Sequence, residues 1–385
     1  MVQRFSVDLT GPGSHTVTRE LGKGWLSIGP VGSDLIVDGN EQINWNALDD
    51  SEACANDWPG RVQYEGSDPA FAAWASSRHG LSSAEFIATG DTVLDFMNAH
   101  LQYLFLESRE HTVTVQLPSA AHLRLVTLVG HPDHFAIRLH PDGEVPGVSL
   151  WLPRDPALGR RVLPVDGSQG ARTLALPAEL QGIEDVTVIG DPFDVPFDVR
   201  SLSACSRLRR VEIRGAVAHL ESLAAAELSA LEFRYVPDLG GLPPLSSWPG
   251  LEKMIVWNCD EKATKKLRGE IRRMPEGSGF RSASQGRDMA WFATEYGLPF
   301  SGWPKRTASK ATRAFAAAAK AIGRAETVEE CYEAIDGFLA VANDLPGIET
   351  TEREDLGEAV QMLADLTEHL DERAAERRFD EVRHF

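Results

Sequence analysis

The histidines and aspartates between residues 131 and 142 are the residues whose types and spacing could do chemistry. They occur as His131-Pro-Asp-His134 and, six residues further on, as His140-Pro-Asp142. Imidazole nitrogens and carboxylates at such spacing can bind zinc, and neutral imidazole is the commonest metal donor in proteins. One hypothesis for the function is therefore a hydrolytic or metal-dependent enzyme with a site near the His131/His134 turn.

The same segment also has the sequence of two turns. Pro-Asp and Pro-Asp-Gly are turn signals, because proline presets φ and the aspartate side chain bonds to the backbone two residues on. They bracket the apolar stretch FAIRL at 135–139. On this interpretation the histidines are exposed turn residues, and we expect no bound metal and no cofactor.

Other catalytic motifs are missing from the sequence. The glycine-rich stretch 22–32 (GKGWLSIGPVG) has neither spacing of the phosphate-binding loops. H-E-x-x-H and G-x-S-x-G are absent as well. The cysteines have no paired spacing, which predicts buried thiols rather than a disulfide framework; they are Cys54, Cys205, Cys259 and Cys331. We therefore expect a binding protein rather than an enzyme, although a site built from dispersed residues would leave no local signature.

Composition places the chain among globular proteins. It has 385 residues, of which 43% are hydrophobic and 25% are charged, and this length predicts two to three domains or one repeat array. The sequence has no apolar run of about 18 residues, and its start lacks the order of a signal peptide. These features predict a soluble, cytoplasmic protein that does not engage a membrane.

The charge balance is strongly acidic. Fifty-seven Asp and Glu residues against 38 Lys and Arg residues give a net charge of -19, which would repel phosphates and so opposes nucleic-acid binding. Residues 1–100 alone hold 14 acidic and 5 basic residues. The partner that we expect is another protein, and a basic one is the sharper hypothesis. The alternative is that the acidic excess only confers solubility; the oligomeric state does not follow from it.

Short apolar phrases recur between residues 101 and 260. An apolar stretch ending in Leu-Pro is followed by one ending in Gly, with Pro-to-Gly separations of 12, 14 and 13 residues. The three pairs are Pro118 and Gly130, Pro153 and Gly167, and Pro177 and Gly190. Self-similarity of this kind indicates a repeat architecture, in which each unit buries its apolar face against the next one.

A second regularity is an apolar ladder of the form L-x-x-L-x-x-L-x-L. Its copies are Ala120, Leu123, Val126, Leu128; Leu180, Ile183, Val186, Val188; Cys205, Leu208, Val211, Ile213; Leu228, Leu231, Phe233; and Trp248, Leu251, Met254, Val256. The strand anchors Val186, Val211, Leu231 and Met254 lie 25, 20 and 23 residues apart. The last copy continues into Asn258 and Cys259 and so resembles the leucine-rich repeat family, whose consensus is L-x-x-L-x-L-x-x-N/C. The resemblance covers about residues 101–260, with degenerate copies.

The resemblance implies a leucine-rich-repeat-like solenoid, and the patterns of the flanking segments predict a β-rich N-terminal region and a C-terminal three-helix bundle, so the expected fold class is α/β. The expected domains are a β-rich region with a helical bridge (1–100), the solenoid with a basic helical cap (101–275), a linker (276–304) and the bundle (305–385). Ser82 and Glu85 form a capping box that predicts a helix in the bridge. Two further boxes, Thr327 with Glu330 and Thr351 with Glu354, begin apolar helical stripes in the bundle.

Period-2 alternation predicts which ladder residues point out of the repeat. Residues beside the buried anchors should face solvent on the concave side and align in three rows. The rows are Asp185, Arg210, Ala230, Lys253; Thr187, Glu212, Glu232, Ile255; and Ile189, Arg214, Arg234, Trp257. Exposed Arg and Trp are enriched at binding hot spots, so the candidate binding residues are Arg210, Glu212, Arg214, Glu232, Arg234, Ile255 and Trp257.

These rows predict non-catalytic protein-protein recognition. The sharper form is an immunity or antitoxin-like protein that binds a basic partner. Two alternatives remain beside it: the Arg and Glu side chains pair with one another across neighbouring strands at low energy, or the chain is a self-assembling structural protein.

Overall fold

The computed structural model describes residues 2–20, 22–48, 60–152, 170–273 and 279–384. The chain divides into two compact units, Met1–Arg287 and Asp288–Phe385. Cys54 and the repeat copy that runs from Pro153 to Gly167 lie outside the described residues.

The first unit contains the strands. They are β1 (Val2–Val7), β2 (His15–Glu20), β3 (Trp25–Gly29), β4 (Leu35–Ile36), β5 (Arg61–Gly66), β6 (Ser83–Ala88), β7 (Thr92–Asp95), β8 (Tyr103–Glu107), β9 (Val113–Gln116), β10 (Leu125–Val129), β11 (Phe135–Arg138), β12 (Gly147–Trp151), β13 (Asp185–Ile189), β14 (Phe197–Asp198), β15 (Arg210–Arg214), β16 (Val217–Ala218), β17 (Ala230–Arg234), β18 (Lys253–Trp257) and β19 (Arg281–Ser284).

Of the α-helices in the described residues, two lie in the first unit and five in the second. They are α1 (Ala70–Ser76), α2 (Glu261–Ile271), α3 (Met289–Thr294), α4 (Lys305–Ile322), α5 (Val328–Asn343), α6 (Thr350–Ala364) and α7 (Glu372–Val382). Short 3-10 helices occupy Trp45–Leu48, Pro132–His134, Ala178–Gly182, Val199–Ala204, Leu220–Ala225, Leu245–Ser247 and Pro299–Gly302. Among the helices that the structure describes, none combines the length and the apolar character needed to cross a membrane.

One large sheet dominates the described part of the first unit. Its fourteen strands follow the order β1-β2-β4-β3-β5-β6-β8-β10-β12-β13-β15-β17-β18-β19. The pairs β1/β2 and β2/β4 are antiparallel, and every later pair is parallel. Two smaller parallel sheets, β11-β9-β7 and β14-β16, accompany it.

Buried apolar pairs set the register of the large sheet. Val186 lies opposite Val211, which lies opposite Leu231, which in turn lies opposite Met254. All four side chains are at most 2% exposed, so the predicted side-by-side alignment of these anchors is confirmed. A slip of one residue would turn each strand's apolar set toward solvent, and burial therefore holds each strand in this register.

The predicted fold class is wrong. Residues 1–100 do not form a separate β-rich region before a leucine-rich-repeat-like solenoid, because their strands β1 to β6 belong to the same fourteen-stranded sheet as the later ones. Strand β19 extends that sheet into the segment expected to be a linker. The described part of the second unit holds four long helices rather than a three-helix bundle. The molecule is thus a mixed α/β protein with a mostly parallel sheet and a separate helical unit.

The helix predicted from Ser82 and Glu85 is a strand. Ala84 and Phe86, two residues apart, are fully buried, as expected on the covered face of a strand. Glu85 between them pairs with Arg61 of β5. The Ser82 hydroxyl donates to the carbonyl of Gly60 on the preceding strand connection. Tertiary pairing with β5 and β8 therefore overrides the local capping motif.

An aromatic cluster fills the core beneath β5 and β6. Trp45 contacts Tyr64 edge-on, with ring centroids 4.9 Å apart, and Phe71 of α1 packs on both. The Trp45 indole N–H donates to Asp68 over 2.9 Å, and the Tyr64 hydroxyl accepts the Asp68 backbone N–H over 3.2 Å. Burial raises the pKa of Tyr64 to about 12. This packing joins the early part of the chain to the main core.

The second unit is a helical core with its own caps. Thr327 accepts the backbone N–H of Glu330, so the predicted start of α5 is confirmed. Helix α6 begins earlier than predicted, because its capping box is formed by Glu349 and Glu352. The charged tail forms α7, capped by Asp371, which accepts the backbone N–H of Ala374 over 2.7 Å.

Glycine is required where β10 ends. Gly130 has φ +119°, and its N–H donates to the carbonyl of Trp151 over 3.0 Å. A Cβ at this position would overlap the carbonyl oxygen of Ser108. Gly130 thus lies where two backbones approach too closely for any side chain, whereas a Cβ at Gly190 would meet only the Arg214 carbonyl oxygen at 3.8 Å.

Replacing Gly130 with alanine should lower the free energy of unfolding by about 2–4 kcal/mol, because positive φ and overpacking both oppose a Cβ there. Gly250→Ala is the matched control, since a Cβ at Gly250 meets nothing within 4 Å; we expect a change within about 0.5 kcal/mol. Urea unfolding followed by circular dichroism measures both. Equal effects of the two substitutions would contradict this account of Gly130.

Candidate binding surface

The parallel register aligns the outward side chains of the large sheet. We call the outward side chains of nine successive strands, β5, β6, β8, β10, β12, β13, β15, β17 and β18, the sheet face. Along its second row, Thr187 lies opposite Glu212, Glu212 lies opposite Glu232, and Glu232 lies opposite Ile255. The other two predicted rows follow the same pairings, so their alignment is confirmed.

Most of the predicted binding residues belong to a network of ion pairs. We call the following residues the ion-pair zone: Asp185, Arg210, Glu212, Arg214, Glu232, Arg234 and Lys253. Arg210 lies 2.9 Å from Asp185, and Arg214 lies 2.7 Å from Glu212. Arg234 bridges two strands, at 3.5 Å from Glu212 and 3.4 Å from Glu232, and Lys253 also pairs with Glu232.

Pairing reduces what these charges can offer to a partner. These contacts match one alternative that the sequence left open, namely that Arg and Glu side chains pair with one another across neighbouring strands. Partly exposed pairs of this kind contribute about 0–1 kcal/mol each. The ion-pair zone therefore suits orientation and selectivity better than affinity.

Trp257 and Ile255 lie beyond the ion pairs, on β18. Both are half-buried, and the Trp257 ring meets Tyr235 edge-on at a centroid distance of 5.1 Å. Tyr235 has φ +54°, the left-handed region that costs a non-glycine residue about 1–2 kcal/mol. Gly215 occupies the same place after β15, with φ +95°. A strained tyrosine thus stands where the preceding strand ends in glycine, and it places a second ring beside Trp257.

Three aromatic residues on the sheet face, two exposed and one half-buried, were not among the predicted binding residues. Tyr103 and Phe105 lie on β8 and Trp151 lies on β12. Tyr103 and Trp151 are each 45% exposed, and the Phe105 and Trp151 rings approach edge-on with centroids 6.1 Å apart. The alternation in YLFLE, with Leu104 and Leu106 buried, could have revealed Tyr103 and Phe105 had the outward rows been extended upstream.

The sheet face is sorted by side-chain type. Its middle carries no charge, and we call these residues the uncharged zone: Tyr103, Phe105, Leu125, Thr127, Val129, Gly147, Ser149, Trp151, Thr187 and Ile189. On one side lies the ion-pair zone. On the other side β5, β6 and β8 contribute Glu65, Glu85 and Glu107, which we call the acidic zone. Arg61 of β5 lies on the same side and pairs with Glu85.

The histidine segment forms two turns. The backbone N–H of Asp133 donates to His131 Nδ1 over 3.4 Å, and that of Asp142 donates to His140 Nδ1 over 3.3 Å. A hydrogen bond from Ser119, 2.5 Å long, is the largest cause of the lowered pKa of Asp142. Across the described ranges of the chain, no three His, Cys, Asp or Glu side chains are grouped so as to hold one metal ion. The geometry thus matches the turn interpretation of this segment.

The cysteines of the described residues are buried thiols, as predicted; they are Cys205, Cys259 and Cys331. Burial raises the pKa of Cys205 to about 11 and that of Cys259 to about 12. Both values lie above the ordinary 9.0, so the folded state retains both thiol protons. The stability that this contributes is present below pH 9 and is lost as the pH rises toward 11–12. Because the thiolate is the reactive form, neither group suits nucleophilic catalysis at neutral pH.

Comparison with protein-family models, with curated protein sequences and with solved structures returns no match. The class of protein therefore follows from its own geometry: a mostly parallel sheet with a patterned solvent face, and a helical unit. The resemblance of residues 101–260 to the leucine-rich repeat family stays a prediction.

Iodoacetamide at about pH 8 should leave Cys205, Cys259 and Cys331 unmodified in the folded protein and alkylate them in urea, because burial blocks access to all three thiols. Peptide mass mapping measures each site. Ser203→Cys is the matched control, since Ser203 is exposed two residues before Cys205, and the introduced thiol should be labelled in the folded state. If Cys205 were labelled as fast as the thiol introduced at position 203, the prediction would be wrong.

Two substitutions at Tyr235 should separate backbone strain from ring contacts. Tyr235→Ala and Tyr235→Gly both remove the ring, but only glycine relieves the positive φ, so the glycine variant should be more stable by about 1 kcal/mol. At Tyr103, on an ordinary strand, the order should reverse by about 0.5–1 kcal/mol. Urea unfolding of the four variants checks this, and the same order at both positions would show that Tyr235 is unstrained.

Proposed function

We propose that this chain is a non-catalytic protein that recognises another protein through its sheet face. The observation that carries the proposal is the alignment of outward side chains in three rows across successive strands. Tryptophan, tyrosine and arginine are prominent among them, and these residue types supply most binding hot spots.

Charge identifies the kind of partner. The net charge of -19 and the acidic zone favour a basic protein, because opposite potentials speed encounter and suppress wrong partners. The sharper form of the proposal is an immunity or antitoxin-like protein that binds a basic toxin.

The size of the sheet face suits a protein partner. Nine strands about 4.8 Å apart span about 38 Å, and three rows spaced two residues apart span about 13 Å. The projected area is thus about 500 Å², and the accessible area of the side chains is larger. Specific interfaces bury about 800 Å² per partner, so the whole sheet face, rather than one zone, corresponds to an interface.

Replacing Arg214, Arg234 and Trp257 together with alanine should weaken capture of a partner from native cell extract by at least about tenfold, as expected when hot-spot types are truncated. Capture by wild type should also fall as salt rises, because charges screen one another over about 8 Å at physiological ionic strength. Quantitative pull-down at low and high salt measures both effects.

The matched control is Arg207→Ala with Arg209→Ala. Both arginines are exposed and lie just before β15, where they pair with Glu184 and Glu227. Their replacement removes two positive charges, as the triple variant does, and capture should be unchanged. The proposal fails if the triple variant captures the partner normally and hydroxyl-radical footprinting of the complex protects no side chain of the sheet face.

A further inference from the structure

The uncharged zone presents exposed aromatic side chains that have no ion-pair partner to lose. Tyr103 and Trp151 are each 45% exposed, whereas the neighbouring arginines are already held by carboxylates. Aromatic side chains bury about 150–250 Å² each when covered. Covering these rings therefore yields contact energy without breaking an existing ion pair.

We infer that the uncharged zone is the central contact for a cationic segment of a partner protein, which places a large apolar side chain beside Phe105 and Trp151. The inference rests on the proposed function and names the part of the sheet face that dominates binding. Phe105 and Trp151 stand on β8 and β12, on either side of β10, and Thr127 of β10 lies opposite Phe105 and Ser149. The two rings are in edge contact, with centroids 6.1 Å apart, so the apolar side chain packs on the outer surface of this pair rather than between the rings.

The residues around the uncharged zone determine the charge of the occupant. Glu107 follows Phe105 on β8, and its only ion-pair partner in the described residues is Arg109, whose side chain is 80% exposed. Glu85 pairs with Arg61 and is 10% exposed. Glu65 adds a third carboxylate on β5. Because Glu85 is buried and already paired, lysine or arginine beside the apolar side chain would meet Glu65 and Glu107.

Net charge disfavours a second copy of the chain as the occupant of this surface. Each copy carries a net charge of -19, so two copies repel each other as they approach. Like charges placed across an interface disfavour association. The charge of this surface thus favours a basic partner protein over a second copy of the chain.

A defined probe can test this inference without knowledge of the natural partner. The intact chain is immobilised and used to select from a phage-displayed library of random dodecapeptides. We expect the enriched peptides to carry a large apolar residue flanked by lysine or arginine. Their dissociation constants for wild type and variants are then measured by fluorescence anisotropy.

Trp151→Ala and Phe105→Ala should each weaken binding of the selected peptides by at least about tenfold. Trp25→Ala is the matched control, since Trp25 is 38% exposed on β3 of the same sheet but lies outside the sheet face, and it should leave binding unchanged. Circular dichroism confirms that each variant is folded.

A second pair of variants tests the charge without altering the aromatic rings. Glu107→Lys should weaken peptide binding more than Glu107→Gln, by at least about threefold, because it replaces attraction with repulsion. Equal effects of the two substitutions would contradict the inference that the bound segment is cationic.

Three other results would overturn the inference: no enrichment of peptides, enrichment of acidic ones, or self-association of the chain that Trp151→Ala abolishes. If Trp151→Ala binds normally but the triple variant of Arg214, Arg234 and Trp257 does not, the inference fails while the proposed function stands. If both variants bind normally and footprinting shows no protection of the sheet face, the proposed function fails as well.

Discussion

Parallel strand pairing in a single register is the constraint on which the rest of this structure depends. Each of the nine strands of the sheet face buries two apolar side chains at alternate positions, as Val211 and Ile213 do on β15. A shift of one residue would expose both and bury the charged residues beside them. Burial on one face therefore fixes the order of side chains on the other, and the backbone ladder holds rows of outward residues at a spacing of about 4.8 Å.

The same constraint explains how the solvent face acquires its pattern. Each row takes one residue from each strand. When the type of outward side chain differs between neighbouring strands, the sheet face therefore passes from one zone to the next. Glutamates on β5 to β8 give way to aromatic and small residues on β8 to β13, and then to paired charges on β15 to β18. A partner that docks there meets an apolar centre between two charged borders, which is the usual anatomy of a protein interface.

Local patterns reported some elements correctly and misled on others. The apolar ladders identified buried residues such as Leu180, Leu208 and Trp248, all at most 3% exposed. Ser82 and Glu85 had the spacing of a helix cap, yet that segment pairs as a strand between two neighbours. The second unit has a fourth long helix, α7, where the charged tail offered no clear apolar stripe. A capping box is a signal between residues three apart in the chain, and pairing with two neighbouring strands outweighs it here.

The sequence alone determined the features that depend on spacing within one segment: which side chains are buried on the strands that carry the apolar ladder, which of their neighbours share a row, and where glycine must follow a strand, as at Gly130. Only the tertiary structure decided that the first hundred residues continue the same sheet, that Arg234 reaches the carboxylates of two strands, and that Phe105 meets Trp151 across β10. The reason is physical. Periodicity is a property of consecutive residues, whereas contacts between strands depend on sheet order and register, which many distant burial events set together.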